Sequence, residues 1–367
     1  MPGNTQYAYG VGRIRVIEKR LIDKAKFDRM IEAKTTKEAL KMLNEAGYGE
    51  PAPEDGINPH AYEKLIREEQ KKLYNLIREL TDGAETVNIF LLRNDYRNVK
   101  VLLKSEFLGM EAGLKTGAEA GLKTSAEYDL KKSEETTLKT SLGTGIELQD
   151  TGTIPAENLK EIIRDRKFEE LPSYMKNAVE EAIGVFNRTW DPRQIDLILD
   201  KAYFKHAAEL AHNTSIDFIV NLFEIIIDIT NIITFLRMKR LGMPHDLLQN
   251  GLIPGGTIDK GTFTGNYNMP FESFAGSMKG SMYEDICRKG IEDLTNTGSL
   301  AVLEKLADNF VLSFARKAKY AVLGIEPLIA YFLAKENEFK NVRIIMAGKV
   351  NGVPANIIRE RLRDTYA

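Results

Sequence analysis

The sequence predicts an all-α protein made of three similar antiparallel helical units. Three observations predict it. Apolar residues recur at helical spacing through most of the 367 residues, strict period-two alternation is scarce, and one polar motif recurs three times on helical segments.

The first helical stretch spans residues 14–46, where Ile14, Ile17, Leu21, Phe27, Met30, Ile31, Leu40 and Leu43 keep helical spacing. Within it, Thr35 and Glu38 form a capping box, Thr35 as N-cap and Glu38 at N3. Gly47 and Pro51-Ala52-Pro53 stop the pattern. Residues 59–80 are amphipathic and dense in Glu, Lys and Leu. Further helices are expected at 84–108, 158–183, 192–212, 214–241, 270–294, 298–321, 325–347 and 353–366. Asp191-Pro192, Gly324-Ile325-Glu326-Pro327 and Gly352-Val353-Pro354 each put proline in a first turn, where its missing N–H costs nothing.

Residues from about 109 to 157 break the pattern. Glu111-Ala-Gly-Leu-Lys-Thr-Gly-Ala118 is followed by Glu119-Ala-Gly-Leu-Lys-Thr-Ser-Ala126, and worn copies begin at Glu127 and Glu135. On a helix an eight-residue step advances about 800°, so the leucines drift by roughly 80° per copy and make no stripe. The segment reads as a low-complexity insertion or linker, with a small β-hairpin or partner-binding arm as the alternative. Glycines at 250–266 mark turns and a second boundary. The expected organisation is unit 1 at 1–108, the octad insertion at 109–157, unit 2 at 158–246 and unit 3 at 247–367.

The repeated motif is an acid, an asparagine three residues on, a cation and a closing glycine. Its copies are Asp95, Asn98 and Lys100; Asp228, Asn231 and Arg237; and Glu338, Asn341 and Arg343. The acids stand 133 and 110 residues apart (228 − 95 and 338 − 228), and removing the octads at 111–142 shortens the first step to 101. Units of about 100 residues follow, far longer than the ~34–47 of common helical solenoids. Acid and asparagine share one helix face. In the second copy Asp217, Asn221, Glu224, Asp228 and Asn231 line one side of an otherwise apolar helix. Such a stripe must meet cations, water or a partner, because unpaired buried carboxylates are costly. Arg13, Arg15, Arg93, Lys100, Arg237 and Arg343 are the candidate cations. The motif reads either as an internal network that fixes packing or as a polar-lined cavity or rim for another subunit.

Composition narrows the function. With 51 basic and 53 acidic residues the chain lacks the basic excess of a nucleic-acid binder. A lone cysteine, Cys287, forms no internal disulfide and fits a reducing compartment, and its cationic neighbours would lower its pKa. The N-terminal residues carry no charged-then-apolar secretory pattern. Phe218–Phe235 is the most apolar stretch, but Asn221, Glu224, Asp228 and Asn231 interrupt it, so no direct membrane span is expected. His60, His206, His212 and His245 make no zinc motif, and no phosphate loop or nucleophile elbow is present. No catalytic residue, cofactor, metal or small-molecule substrate is expected.

Tyr7-Ala-Tyr9-Gly-Val-Gly-Arg13-Ile-Arg15-Val resembles the start of the C subunit of the V/A-type rotary ATPases. Phe90-Leu-Leu-Arg93-Asn-Asp95-Tyr-Arg-Asn98-Val-Lys100, Leu199-Asp-Lys-Ala-Tyr-Phe204, Asp228-Ile-Thr-Asn231 and Glu338-Phe-Lys-Asn341-Val-Arg343-Ile-Ile are similar too. The eukaryotic relative of that family is the d subunit of the V-ATPase. The resemblance implies a pseudo-threefold funnel that seats the D and F subunits of the shaft and rests on the membrane proteolipid rotor ring. It implies a non-catalytic central-stalk rotor component on the cytoplasmic face of the plasma membrane. It offers no catalytic residues. A free-standing helical scaffold or adaptor is the alternative.

Overall fold

The computed structural model describes residues 6–49, 61–81, 85–115 and 148–366. Most of the octad segment therefore lies outside the described residues. Among the described residues the chain is helical with no β-strand. It forms two compact units, Met1–Val87 with Ala208–Ala367, and Asn88–Ala207.

The first expected stretch folds as three helices, α1 Ala8–Ile17, α2 Lys24–Glu32 and α3 Thr36–Glu45. The breaks are chemical. The Asp23 carboxylate caps α2 by accepting from the Lys26 N–H at 2.8 Å. The Thr35 hydroxyl caps α3 through the Glu38 N–H at 3.1 Å, and Glu38 reaches back to the Lys34 N–H at 2.7 Å. Between α1 and α2 the chain leaves helical geometry at Leu21, a departure that the site below explains.

Two long helices follow, α4 Ala61–Leu80 and α5 Glu85–Lys115. The stretch expected at 158–183 divides into α6 Ala156–Asp165 and α7 Ser173–Thr189. Arg166 ends α6 in the left-handed region at φ 58°, and Pro172 starts α7. Next come α8 Pro192–Asn213, α9 Asp217–Arg240, α10 His245–Gly251 and α11 Lys260–Gly265. The stretch at 270–294 divides into α12 Phe271–Ser277 and α13 Glu284–Thr297, around Gly280 at φ 80°. The chain then runs through α14 Ala301–Arg316, α15 Glu326–Val350 and α16 Ala355–Arg361. Residues 362–366, expected to be helical, are not.

In the larger unit, α15 is buried on almost every side, packed against α1, α2, α3, α4, α14 and α16. Tyr74 of α4 meets Phe332 of α15 edge-on with ring centroids 5.3 Å apart. A second apolar cluster gathers Phe235, Phe263, Tyr267 and Phe274 against α13 and α14. In the unit Asn88–Ala207, α5 packs Phe107 on Phe186 of α7, stacked at 4.0 Å, and Tyr96 on Tyr203 of α8 at 5.8 Å.

Among the described residues, α9 alone is long and apolar enough to cross a membrane. Its most apolar window is 61% buried inside the protein, and its Asp228 and Asn231 are enclosed there.

Candidate functional site

The three copies of the motif fall on the three longest central helices, α5, α9 and α15. Asp95, Asn98, Asp228, Asn231, Glu338 and Asn341 are all at most 4% exposed. Their partners are backbone groups of non-helical segments together with a few hydroxyls and one ammonium, and the geometry repeats.

In each copy the asparagine amide binds one loop residue twice. Asn98 Nδ2 donates to the Gln149 carbonyl at 2.8 Å and its Oδ1 accepts from the Gln149 N–H at 2.9 Å. Asn231 makes the same pair with Ile253 at 2.8 and 2.8 Å. Asn341 makes it with Arg363 at 3.0 and 2.9 Å. An amide side chain presents one donor and one acceptor side by side, so it pairs with a peptide as a neighbouring strand would.

The acid secures the loop four residues later. Asp95 accepts from the Thr153 N–H at 2.8 Å, the Thr153 hydroxyl at 2.6 Å and the Ile154 N–H at 3.2 Å. Asp228 accepts from the Thr257 N–H at 2.9 Å, the Thr257 hydroxyl at 2.6 Å and the Ile258 N–H at 3.1 Å. The Tyr283 hydroxyl adds a further bond to Asp228 at 2.9 Å.

These two loops share the tripeptide Gly-Thr-Ile, at 152–154 and at 256–258. The glycine is required by close approach. A Cβ on Gly152 would lie 1.8 Å from Asp95 Oδ1, and one on Gly256 would lie 2.1 Å from Asp228 Oδ1. Sequence reading assigns both loops to turns or linker and misses this element. The recurrence of Gly-Thr-Ile behind each acid–asparagine pair is the signal that marks it.

The third clamp is closed by two separate segments. Arg363 takes the asparagine, and the Asn337 amide holds the Asp364 carbonyl at 2.8 Å. Glu338 accepts from the Ile22 N–H at 2.6 Å and the Tyr48 hydroxyl at 2.6 Å, and pairs with Lys335. Ile22 stands two residues before α2, as Ile154 stands before α6 and Ile258 before α11. The third acid therefore holds an equivalent Ile drawn from the far end of the chain. This explains why Leu21 and residues 362–366 leave helical geometry.

Five of the six cations named from the sequence take partners other than the motif acids. Lys100 pairs with Asp200, Arg237 with Glu304 at 3.0 Å, and Arg343 with Glu63 at 3.3 Å. Arg13 pairs with Glu79. Arg15 donates to the carbonyls of Lys319 and Ala321, each at 2.8 Å. Asp217 and Asn221 of the α9 stripe are exposed, and the stripe enters the core only at Asp228. Lys335, unmarked by sequence reading, is the cation on Glu338.

Among the described residues no group of three or more His, Cys, Asp or Glu is placed to hold a metal. Burial pushes the Cys287 thiol up to about 12, against the lowering expected from Arg288 and Lys289, whose side chains stand in solvent. The thiol is inert at neutral pH.

Burial, and after it the charge of Asp228, holds the Tyr283 hydroxyl protonated well above its ordinary pKa. Tyr48 is raised likewise by burial and then by Glu338. An unfolded chain releases these protons near pH 10 while the folded chain keeps them. Their stabilisation is whole below pH 10 and is lost as pH rises above it. Tyr283→Phe is expected to cost about 1–2 kcal/mol at neutral pH. Its urea stability should then fall less steeply than wild type above pH 10, by up to about 1.4 kcal/mol per pH unit. Equal slopes would remove Tyr283 from the alkaline transition.

Comparison with known proteins bears on what these clamps serve. Residues 10–361 match the family described as ATP synthase (C/AC39) subunit. The C subunit of the A-type ATP synthase of Methanocaldococcus jannaschii is 26% identical, across 97% of this chain and 86% of its own length. The C subunit of the V-type sodium ATPase of Enterococcus hirae is 24% identical, across 96% of this chain and 97% of its own. The C subunit of the A-type ATP synthase of Thermococcus gammatolerans is 23% identical, across 99% and 91%.

Proposed function

The chain belongs to the ATP synthase (C/AC39) subunit family, and from that membership we propose that it is a non-catalytic central-stalk component of an A/V-type rotary ATPase. It joins the D and F subunits of the shaft to the proteolipid rotor ring at the cytoplasmic face of the membrane. It turns with both and passes torque between ATP chemistry and ion flow.

The observation that carries this reading is the family match over residues 10–361. The site chemistry supports it. Asp95, Asp228 and Glu338 are enclosed and hydrogen-bonded to backbone N–H and hydroxyl groups of their own chain. Carboxylates so occupied hold structure and have no free geometry for acid–base turnover. A torque coupler needs a stiff body, and helices packed at native density with their loops tied to buried side chains supply one.

Purification of the intact membrane complex through a tag on this chain tests the proposal. Shaft and ring subunits should be recovered together, and the chain alone should show no ATP hydrolysis. Recovery of the chain without either partner would overturn it in favour of a free-standing helical scaffold.

A further inference from the structure

The turn between α14 and α15 presents an apolar tip that none of the described residues covers. Tyr320 is 87% exposed, Val322 80% and Leu323 40%. Val16, at the adjoining end of α1, is 62% exposed. The tip is held in shape. Arg15, next to Val16, donates to the carbonyls of Lys319 and Ala321 on either side of Tyr320, each at 2.8 Å. Exposed apolar side chains on a fixed turn mark an interaction surface.

The charge around the tip selects the partner. Residues 316–325 carry Arg316, Lys317 and Lys319 and no acid, and the next residue, Glu326, opens α15 with its Oε2 buried against Gly324. Lys317 and Lys319 stand in solvent. The nearby acid Glu18 is spent on Arg15 at 3.2 Å, with its side chain 15% exposed. A protruding tyrosine and two aliphatic side chains flanked by ammonium groups match the headgroup layer of an anionic membrane. There the ring and aliphatics lie at the polar boundary and the cations meet phosphates.

Resting on the reading above, which puts the chain at the membrane, we propose that Tyr320, Val322 and Leu323, with Lys317 and Lys319, form a weak lipid-binding tip for anionic headgroups. It engages bilayer beside the protein contacts of the rotor and adds to their grip. A single tip of this size binds reversibly and depends on salt.

The test is sedimentation of the purified full-length chain with vesicles. One set contains about 30% phosphatidylglycerol in phosphatidylcholine, and the other phosphatidylcholine alone. Wild type should pellet with the anionic set and release at high salt. Lys317→Gln/Lys319→Gln and Tyr320→Ser/Val322→Ser/Leu323→Ser, each with wild-type circular dichroism, should bind about tenfold more weakly. Wild type that ignores anionic vesicles, or variants that bind as well as wild type, would overturn the proposal. So would variants that keep vesicle binding but lose the rotor ring, because the tip would then dock on protein. Tagged wild type that recovers shaft and ring but ignores vesicles sinks the lipid tip and leaves the coupling role. Wild type that binds vesicles but recovers neither sinks the coupling role alone.

Discussion

Asp228→Ala is expected to destabilise the unit that contains it by about 4 kcal/mol, among the larger effects a single substitution has. The truncation strands the Thr257 N–H, the Thr257 hydroxyl, the Ile258 N–H and the Tyr283 hydroxyl together. Each unpaired buried donor costs about 1–3 kcal/mol, and water entering the gap holds the total below their sum. Gly256→Ala attacks the same clamp from the loop. Its Cβ would sit 2.1 Å from Asp228 Oδ1, which accepts from the Ile258 N–H, while the Thr257 N–H and hydroxyl fix the other carboxylate oxygen. Loop or helix must shift, at about 3 kcal/mol. The double variant separates the two causes. With the Asp228 carboxylate gone, the added methyl has room, and Gly256→Ala should cost under about 1 kcal/mol. Urea unfolding followed by circular dichroism measures all four corners. Additive costs would show that Gly256 is required for a reason other than the carboxylate.

Residue periodicity makes the helices legible, and the acid–asparagine step of three makes one face of each clamp legible. The loops are not, for a physical reason. The groups that satisfy Asp95 and Asp228 are mostly backbone N–H groups, which every residue but proline carries. Reading for opposite charge points to Arg237 and Arg343, whereas they pair with Glu304 and Glu63. Glycine carries the positive signal, since Gly152 and Gly256 face the carboxylates at distances that no side chain tolerates. The expected helix at 353–366 fails past Arg361 because the Asn341 amide takes the Arg363 backbone as its partner. That tertiary bond overrides local propensity. Tyr48 and Tyr283 are invisible in the sequence because each reaches its acid from a distant part of the chain, 290 and 55 residues away.

The third clamp carries the other large expectation. Glu338→Ala should cost about 4 kcal/mol, because it strands three groups of different kinds. The Ile22 N–H and the Tyr48 hydroxyl lose their acceptor, and Lys335, 12% exposed, loses its counter-charge. The stranded cation makes the loss partly reversible. Glu338→Ala/Lys335→Met should regain at least about 1 kcal/mol, since an apolar side chain of similar length avoids an unpaired buried charge. The damage should also be local. Glu338 ties Ile22 and Tyr48 to α15 across 316 and 290 residues of sequence, and no continuous loop replaces that tie. Hydrogen exchange at the Ile22 amide should therefore quicken in Glu338→Ala. The Ile253 amide, held by Asn231 in the second clamp, should keep its protection. Equal loss at both amides would mean that the clamps melt as one and that Glu338 is not what joins the two distant segments.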